Sequence, residues 1–370
     1  MVTLLGGALA CSPPRGPAPH SPNPRATSGL HIDTIAQGLA NPWGLELLPD
    51  GRMIVTERPG RVRIVSRDGE VSAPLTGVPT VAATGQGGLL DVALDPAFAT
   101  NSVIYLSYAA PGNGGTAGTA VARAKLGATG LEDVRVIYRQ EPQVNGGNHF
   151  GSRIVFGRDS TMWITQGDRF AYRDQAQNLE SDLGKIVRIN RDGSIPRDNP
   201  FVGRADARPE IWSYGHRNIQ AAAINPETGQ LWTVEHGARG GDELNHPEAG
   251  KNYGWPVITY GIDYNGARIG EGAVKEGMEQ PVYYWDPVIA PSGMTFYTAD
   301  AFPGWKGSIL VGGLASMALV RLELRDGAVV REERYLRGLN ERIRDVRQGS
   351  DGFLYLITDS GKGRLLRVRP

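Results

Sequence analysis

The chain has 370 residues, with 39 Lys and Arg against 39 Asp and Glu, so its formal net charge is zero. No global field is available to recruit nucleic acid or an anionic membrane surface, and recognition must come from local clusters. Its 50 Gly and 25 Pro, with no long amphipathic run, exclude a helical bundle and point to many short strands and turns.

The chain begins with a short apolar run, Val2 to Ala10, that ends Ala8-Leu9-Ala10-Cys11. The run is too short to span a bilayer. Small residues before a cysteine resemble a bacterial lipoprotein signal, in which the cysteine is lipidated after cleavage. Residues 1–11 are therefore expected to direct export to the periplasm or cell surface, with lipidated Cys11 as a membrane tether. Cys11 is the single cysteine, so no disulfide can form within the chain. Residues 12–30, rich in Pro, Ser and Ala, are expected to form a disordered tether before a domain spanning 31–370.

From His31 onward one phrase recurs: an apolar run, a turn, then a run rich in β-branched and aromatic residues. The turn and second run read Pro49-Asp50-Gly51-Arg52-Met53-Ile54-Val55-Thr56 in the first copy and Asp351-Gly352-Phe353-Leu354-Tyr355-Leu356-Ile357-Thr358 in the sixth. Between them lie copies centred on Ile104, Trp163, Trp232 and Leu310. Alternating strands follow in most copies, as in Lys185-Ile186-Val187-Arg188-Ile189. Six such units predict an all-β fold, a six-bladed β-propeller of four-stranded antiparallel blades. The segment His31–Ala36 is expected to add a strand to the last blade and close the ring. Long inserts fall at Phe170–Gly184 and Gly237–Asp286, and on a repeat scaffold such loops gather at the binding face.

In a propeller the first strand of each blade lines the central channel, so residues just before it sit at one channel mouth. The predicted first strands are preceded or opened by Gln86, His149, Arg217 with Asn218, Ser292, and Arg342 with Arg344. Five of six blades therefore aim a polar or cationic group at one place. Asp168 and Glu235-His236 end second strands that return to the same face. Three arginines converging without matching acids predict an anionic ligand, because guanidinium forks suit carboxylate or phosphate. The acidic, glycine-rich segment from Glu235 to Asn245 has the donor types of a hard-cation loop without the spacing of an EF-hand.

The phrases Asn41-Pro42-Trp43-Gly44, Gly85-Gln86-Gly87-Gly88, Asn148-His149-Phe150-Gly151-Ser152-Arg153, Gly215-His216-Arg217-Asn218, Glu235-His236-Gly237, Asn252-Tyr253-Gly254-Trp255-Pro256 and Arg342-Ile343-Arg344-Asp345-Val346 stand in this order. Together they resemble the soluble aldose sugar dehydrogenases that depend on pyrroloquinoline quinone (PQQ), over roughly His31 to Pro370. The resemblance implies oxidation of the C1 hydroxyl of an aldose to the lactone, with electrons passed to an external acceptor such as a quinone, cytochrome or dye. It implies His149 as general base and Asp168 as the acid that orients it. It assigns Gln86, Arg217, Asn218, Tyr264, Arg342 and Arg344 to PQQ, a tricarboxylate. It gives the carbonyls of Gly237 and Ala238 to an active-site Ca2+, and Glu243 and Tyr253 to a further, structural Ca2+. At Ala315 many members carry a lysine that meets PQQ, so this chain has one cation fewer at the cofactor position. The alternatives are a calcium-dependent sugar lactonase, which would need side-chain carboxylates around a channel metal, and a non-catalytic binding propeller, which the loss at Ala315 would suit. Monomer and dimer are equally compatible with the sequence.

Overall fold

The structure, a computed structural model, describes residues 19–20, 25–26 and 29–370. The predicted export signal and Cys11 lie outside the described residues. Six antiparallel sheets follow one another along the chain. Their first strands are Pro42–Leu47, Leu89–Leu94, Ile154–Phe156, Ile219–Ile224, Pro291–Phe296 and Ile343–Gln348. The last five begin within a few residues of the polar groups expected to open them. The architecture is the predicted six-bladed propeller.

The cores lie between blades. Leu48, Ile54 and Val62 of the first blade pack on Leu89, Val92 and Ile104 of the second. Five further clusters repeat this between each neighbouring pair, and Leu39, Ile357 and Leu365 of the sixth blade meet Leu45, Met53 and Val55 of the first. Middle strands are therefore buried on both faces, as over Met53–Glu57 and Lys185–Ile189. This explains the continuous apolar run at Met53–Val55, whereas Lys185 and Arg188 of the alternating strand are buried with hydrogen bonds to Gln175 and Thr161. His31–Leu39 pairs antiparallel with Gly363–Arg369 as the outer strand of the sixth blade, closing the ring as expected. Asp33 fastens that seam through Arg367 at 3.0 Å and Arg369 at 2.8 Å.

Two departures from the expected plan have physical causes. The first blade has three regular strands instead of four. Its fourth position is filled by an irregular stretch in which Ser72 N–H donates to Ile64 and Leu75 N–H to Val62. Pro74 in this stretch has no N–H to give to a ladder. In the expected 12–30 tether, Arg25–Ala26 pairs parallel with Glu333 and Arg334 on the outer edge of the fifth blade. His20 stacks on Tyr284 at 4.6 Å. Edge pairing needs only backbone groups, so a segment poor in apolar side chains can make it. Among the described residues no helix is long and apolar enough to cross a membrane.

Buried charge fills the channel. Arg153 donates to Asp91 at 2.6 Å and to Asp345 at 3.1 Å, and lies over the Trp43 ring at 4.4 Å. A Cβ at Gly293 would come within 1.7 Å of the Asp345 carboxylate, so a side chain has no place there.

Candidate active site

His149 precedes the first strand of the third blade, with φ of 52° in the left-handed region that non-glycine residues rarely adopt. Gln86 holds that geometry, its Oε1 accepting the His149 N–H at 2.9 Å. The second strand of the same blade returns to place Asp168 beside the ring, with Nδ1 to Oδ1 at 2.6 Å. Gly167 permits this approach, since a Cβ there would meet the His149 carbonyl oxygen at 2.0 Å. Asp168 also accepts the Phe170 N–H at 2.7 Å and Trp255 Nε1–H at 2.8 Å. Burial alone would raise the Asp168 pKa, but the bond to His149, the charge of Arg217 and the bond from the Phe170 N–H outweigh it and hold the group below its ordinary value. An ionised Asp168 requires a proton on Nδ1, which leaves the Nε2 lone pair of His149 free. Burial pushes the His149 pKa below 6.5, and Asp168 offsets this only in part. The imidazole is neutral at neutral pH, as a general base must be.

His149, Asp168, Arg217, Ala238 and Tyr264 line one cavity of about 470 Å³, together with Phe170 and Trp255. That volume lies within the range of small-molecule sites. Arg217 donates to the carbonyls of His236, at 3.2 Å, and of Gly237, and to the Tyr264 hydroxyl at 3.1 Å. Asn218 sits behind, where its Oδ1 takes the Gly151 N–H at 3.1 Å. The sixth blade supplies a second group. Arg344 is buried and reaches Gln220 at 2.8 Å, Ser292 at 3.1 Å and Asp359 at 2.8 Å. Arg342 is half exposed and shares Asp359 at 3.0 Å.

The expectation of arginines without matching acids is therefore corrected: Asp359 pairs with two of them. Its signal was its place at the end of a second strand, the same place that Asp168 holds in the third blade. Nε of Arg217, which lines the His149 cavity, and Nε of Arg344 are nonetheless buried without a partner among the described residues. Ala315 is exposed after the second strand of the fifth blade and offers only backbone, its N–H donating to Ile289.

The loop at Gly237 is set by Asp242, which accepts the N–H groups of Gly237, Ile289 and Ala290, each at 2.8 Å. With the Arg217 guanidinium seated on it, the Gly237 carbonyl is an oxygen that accepts a cation, and the residues there fit a hard ion. Glu243 and Tyr253 line a separate small cavity with Glu235, Gly237 and Gly241, of about 10 Å³, enough for one water-sized body. Burial, then the charge of Glu235, pushes the Glu243 pKa well up, a strain that a cation would relieve. No group of three or more His, Cys, Asp or Glu is arranged for a metal among the described residues. Carbonyls would have to complete either site.

Sequence reasoning missed the roles of two residues, Trp255 and Phe170. Trp255 fixes Asp168 from 87 positions away. It comes from the insert between the third and fourth strands of the fourth blade, which returns to this face along Tyr214. His236, expected at this face, has a buried Nε2 without a hydrogen-bond partner among the described residues. Burial, then the charge of Arg217, lowers its pKa well below the ordinary value. Phe170 was visible only as the first residue of an insert.

Comparison with known proteins gives this site a family. The description Glucose / Sorbosone dehydrogenase belongs to the family that matches residues 39–367. The aldose sugar dehydrogenase YliI of Escherichia coli (strain K12) is 45% identical over 350 residues, 93% of this chain and 94% of the relative. The crystal structure of a glucose dehydrogenase superposes with a TM-score of 0.90 at 48% identity, covering 91% of this chain and 99% of that one. The PQQ-bound aldose sugar dehydrogenase of Streptomyces coelicolor gives a TM-score of 0.77 at 28% identity, covering 94% and 99%. The chain belongs to the glucose/sorbosone dehydrogenase family.

Proposed function

We propose that this chain is a PQQ-dependent aldose dehydrogenase that oxidises the C1 hydroxyl of an aldose to the lactone, with His149 as the general base. The observation that carries this reading is the His149–Asp168 pair, at 2.6 Å, on the wall of a cavity that also holds Arg217. Nε2 of His149 takes the proton of the C1 hydroxyl. Asp168 stabilises the imidazolium that results, and Trp255 and the Phe170 N–H keep Asp168 oriented. Arg217 and Arg344 carry the donors for the cofactor carboxylates, with Gln86, Asn218, Arg342 and Tyr264 around them. The carbonyls of Gly237 and Ala238 would hold Ca2+. When bound there, Ca2+ and PQQ supply the two-electron hydride acceptor for the C1 hydrogen. An external acceptor then takes the electrons. The named relatives support the sugar and the cofactor, and the residues at the channel mouth support the roles.

The test is aldose-dependent dye reduction by purified protein supplied with PQQ and Ca2+. Wild-type protein should turn over. His149→Ala should lose about 10²-fold or more of the turnover while still binding PQQ. Near-normal turnover in the variant would remove His149 from its role. Export and lipid tethering at Cys11 stand on the sequence of residues 1–11 and are checked by labelling cells with a radioactive fatty acid.

A further inference from the structure

Phe170 is held out in the solvent by a backbone that resists being there. Arg169 and Phe170 are consecutive non-glycine residues with φ of 57° and 63°. Each is in the left-handed region that a Cβ disfavours, and such residues persist only where their surroundings hold them. The hold is visible. Arg169 is buried, its guanidinium donating to the carbonyls of Asn148 at 2.9 Å, Ala117 at 2.8 Å and Gly146, and lying 3.7 Å above the Phe150 ring. On the other side the Phe170 N–H is tied to Asp168 at 2.7 Å. The pinned pair leaves the Phe170 ring 48% exposed at the cavity rim, its centroid 5.3 Å from that of His149 and edge-on to it. Tyr264, 57% exposed, stands 6.4 Å away. Charged groups complete the rim, with Arg173 bonded to Asp263 at 3.3 Å.

An exposed aromatic ring beside a general base, kept there at a backbone cost, is a surface waiting for an apolar face. A pyranose with equatorial hydroxyls has one. Its axial C–H bonds form a patch that packs on an aromatic ring, while its hydroxyls point outward to polar groups such as Arg173 and Asp263. We infer that Phe170 is the platform on which the aldose ring stacks, positioning the C1 hydroxyl at Nε2 of His149. The inference rests on the proposed aldose oxidation and deepens it. It places a determinant of sugar binding on the third-blade insert that begins at Phe170.

The experiment compares wild type, Phe170→Ala and Phe170→Trp, all loaded with PQQ and Ca2+, using D-glucose. In Phe170→Ala, KM should rise about tenfold while kcat changes less than about threefold. Phe170→Trp should restore KM. PQQ affinity, read from the absorbance change on titration, should be the same in all three. Saturation-transfer NMR without an acceptor should show transfer from protein aromatic protons to the glucose ring C–H protons, lost in Phe170→Ala. An unchanged KM and unchanged transfer in Phe170→Ala overturn the platform while leaving the oxidation intact. A fall in PQQ affinity that tracks the KM change also overturns it, by making Phe170 a cofactor contact. Wild type that shows Phe170-dependent transfer but no dye reduction overturns the oxidation and leaves the platform standing. Wild type that shows neither overturns both.

Discussion

The Arg217 guanidinium is bonded to the carbonyl of Gly237, the same oxygen that the family resemblance gives to Ca2+. An arginine and a divalent ion cannot share that lone pair without strong repulsion. If Ca2+ takes that oxygen as proposed, Arg217 would compete with it in protein free of cofactor. A carboxylate of PQQ would draw the guanidinium away and free the oxygen. Calcium and PQQ should therefore bind with positive coupling, each tightening the other by the same factor. Arg217→Gln should raise Ca2+ affinity without PQQ by about tenfold and should reduce the coupling. Calorimetric titration of Ca2+ with and without PQQ reads both effects. Equal Ca2+ affinity in wild type and variant would show that the arginine does not guard the site.

Asp168 sets both the orientation and the basicity of His149. Burial lowers the His149 pKa and the Asp168 carboxylate raises it part of the way back. Asp168→Asn removes the raising influence, so the pKa should fall further. With His149 as the proposed base, which works only in its neutral form, kcat/KM should be lost as pH falls through the His149 pKa. In Asp168→Asn that acid limb should move to lower pH, and the plateau should drop by about 10²-fold or more because the ring is a weaker, misoriented base. A pH–rate profile checks the direction. A limb that moves to higher pH would contradict the assignment.

Glu46 lies in the channel near its far mouth, 3.4 Å from Arg347, with a quarter of its side chain exposed. Burial raises its pKa from 4.5 to about 7, with Arg347 opposing and Asp91 and Asp345 adding to the rise. The unfolded chain releases this proton first, so ionisation penalises the fold progressively as pH rises from 4.5 through about 7. Glu46→Gln should match wild type in stability near pH 4 and exceed it at pH 8 by ~1–2 kcal/mol. Denaturant titration at the two pH values measures this, and a variant less stable at pH 8 would refute it.

Much of this protein is legible along the chain because a strand carries its signal locally. Alternation in Lys185–Ile189 and the turn at Asp351-Gly352 belong to a few neighbouring residues, and six copies of one phrase suffice to predict a propeller. His149 and Arg217 stand out for the same reason, each before a first strand. The pairings that give them chemistry are not local. Trp255 reaches Asp168 across 87 positions, Arg344 reaches Gln220 across 124, and Arg153 reaches Asp345 across 192. Such contacts exist only once the ring has closed and brought six strand ends together. Composition could not show that Asp359 answers Arg342 and Arg344, or that Pro74 thins the first blade. The exposure of Phe170 is likewise a tertiary outcome. It follows from the buried guanidinium of Arg169, whose three carbonyl partners lie 21 to 52 positions away. The sequence by itself determined the blades and their polar spokes, because strand and turn preferences are short-range. The tertiary structure decided which spokes meet, because burial and ring closure set the distances on which proton transfer and binding depend.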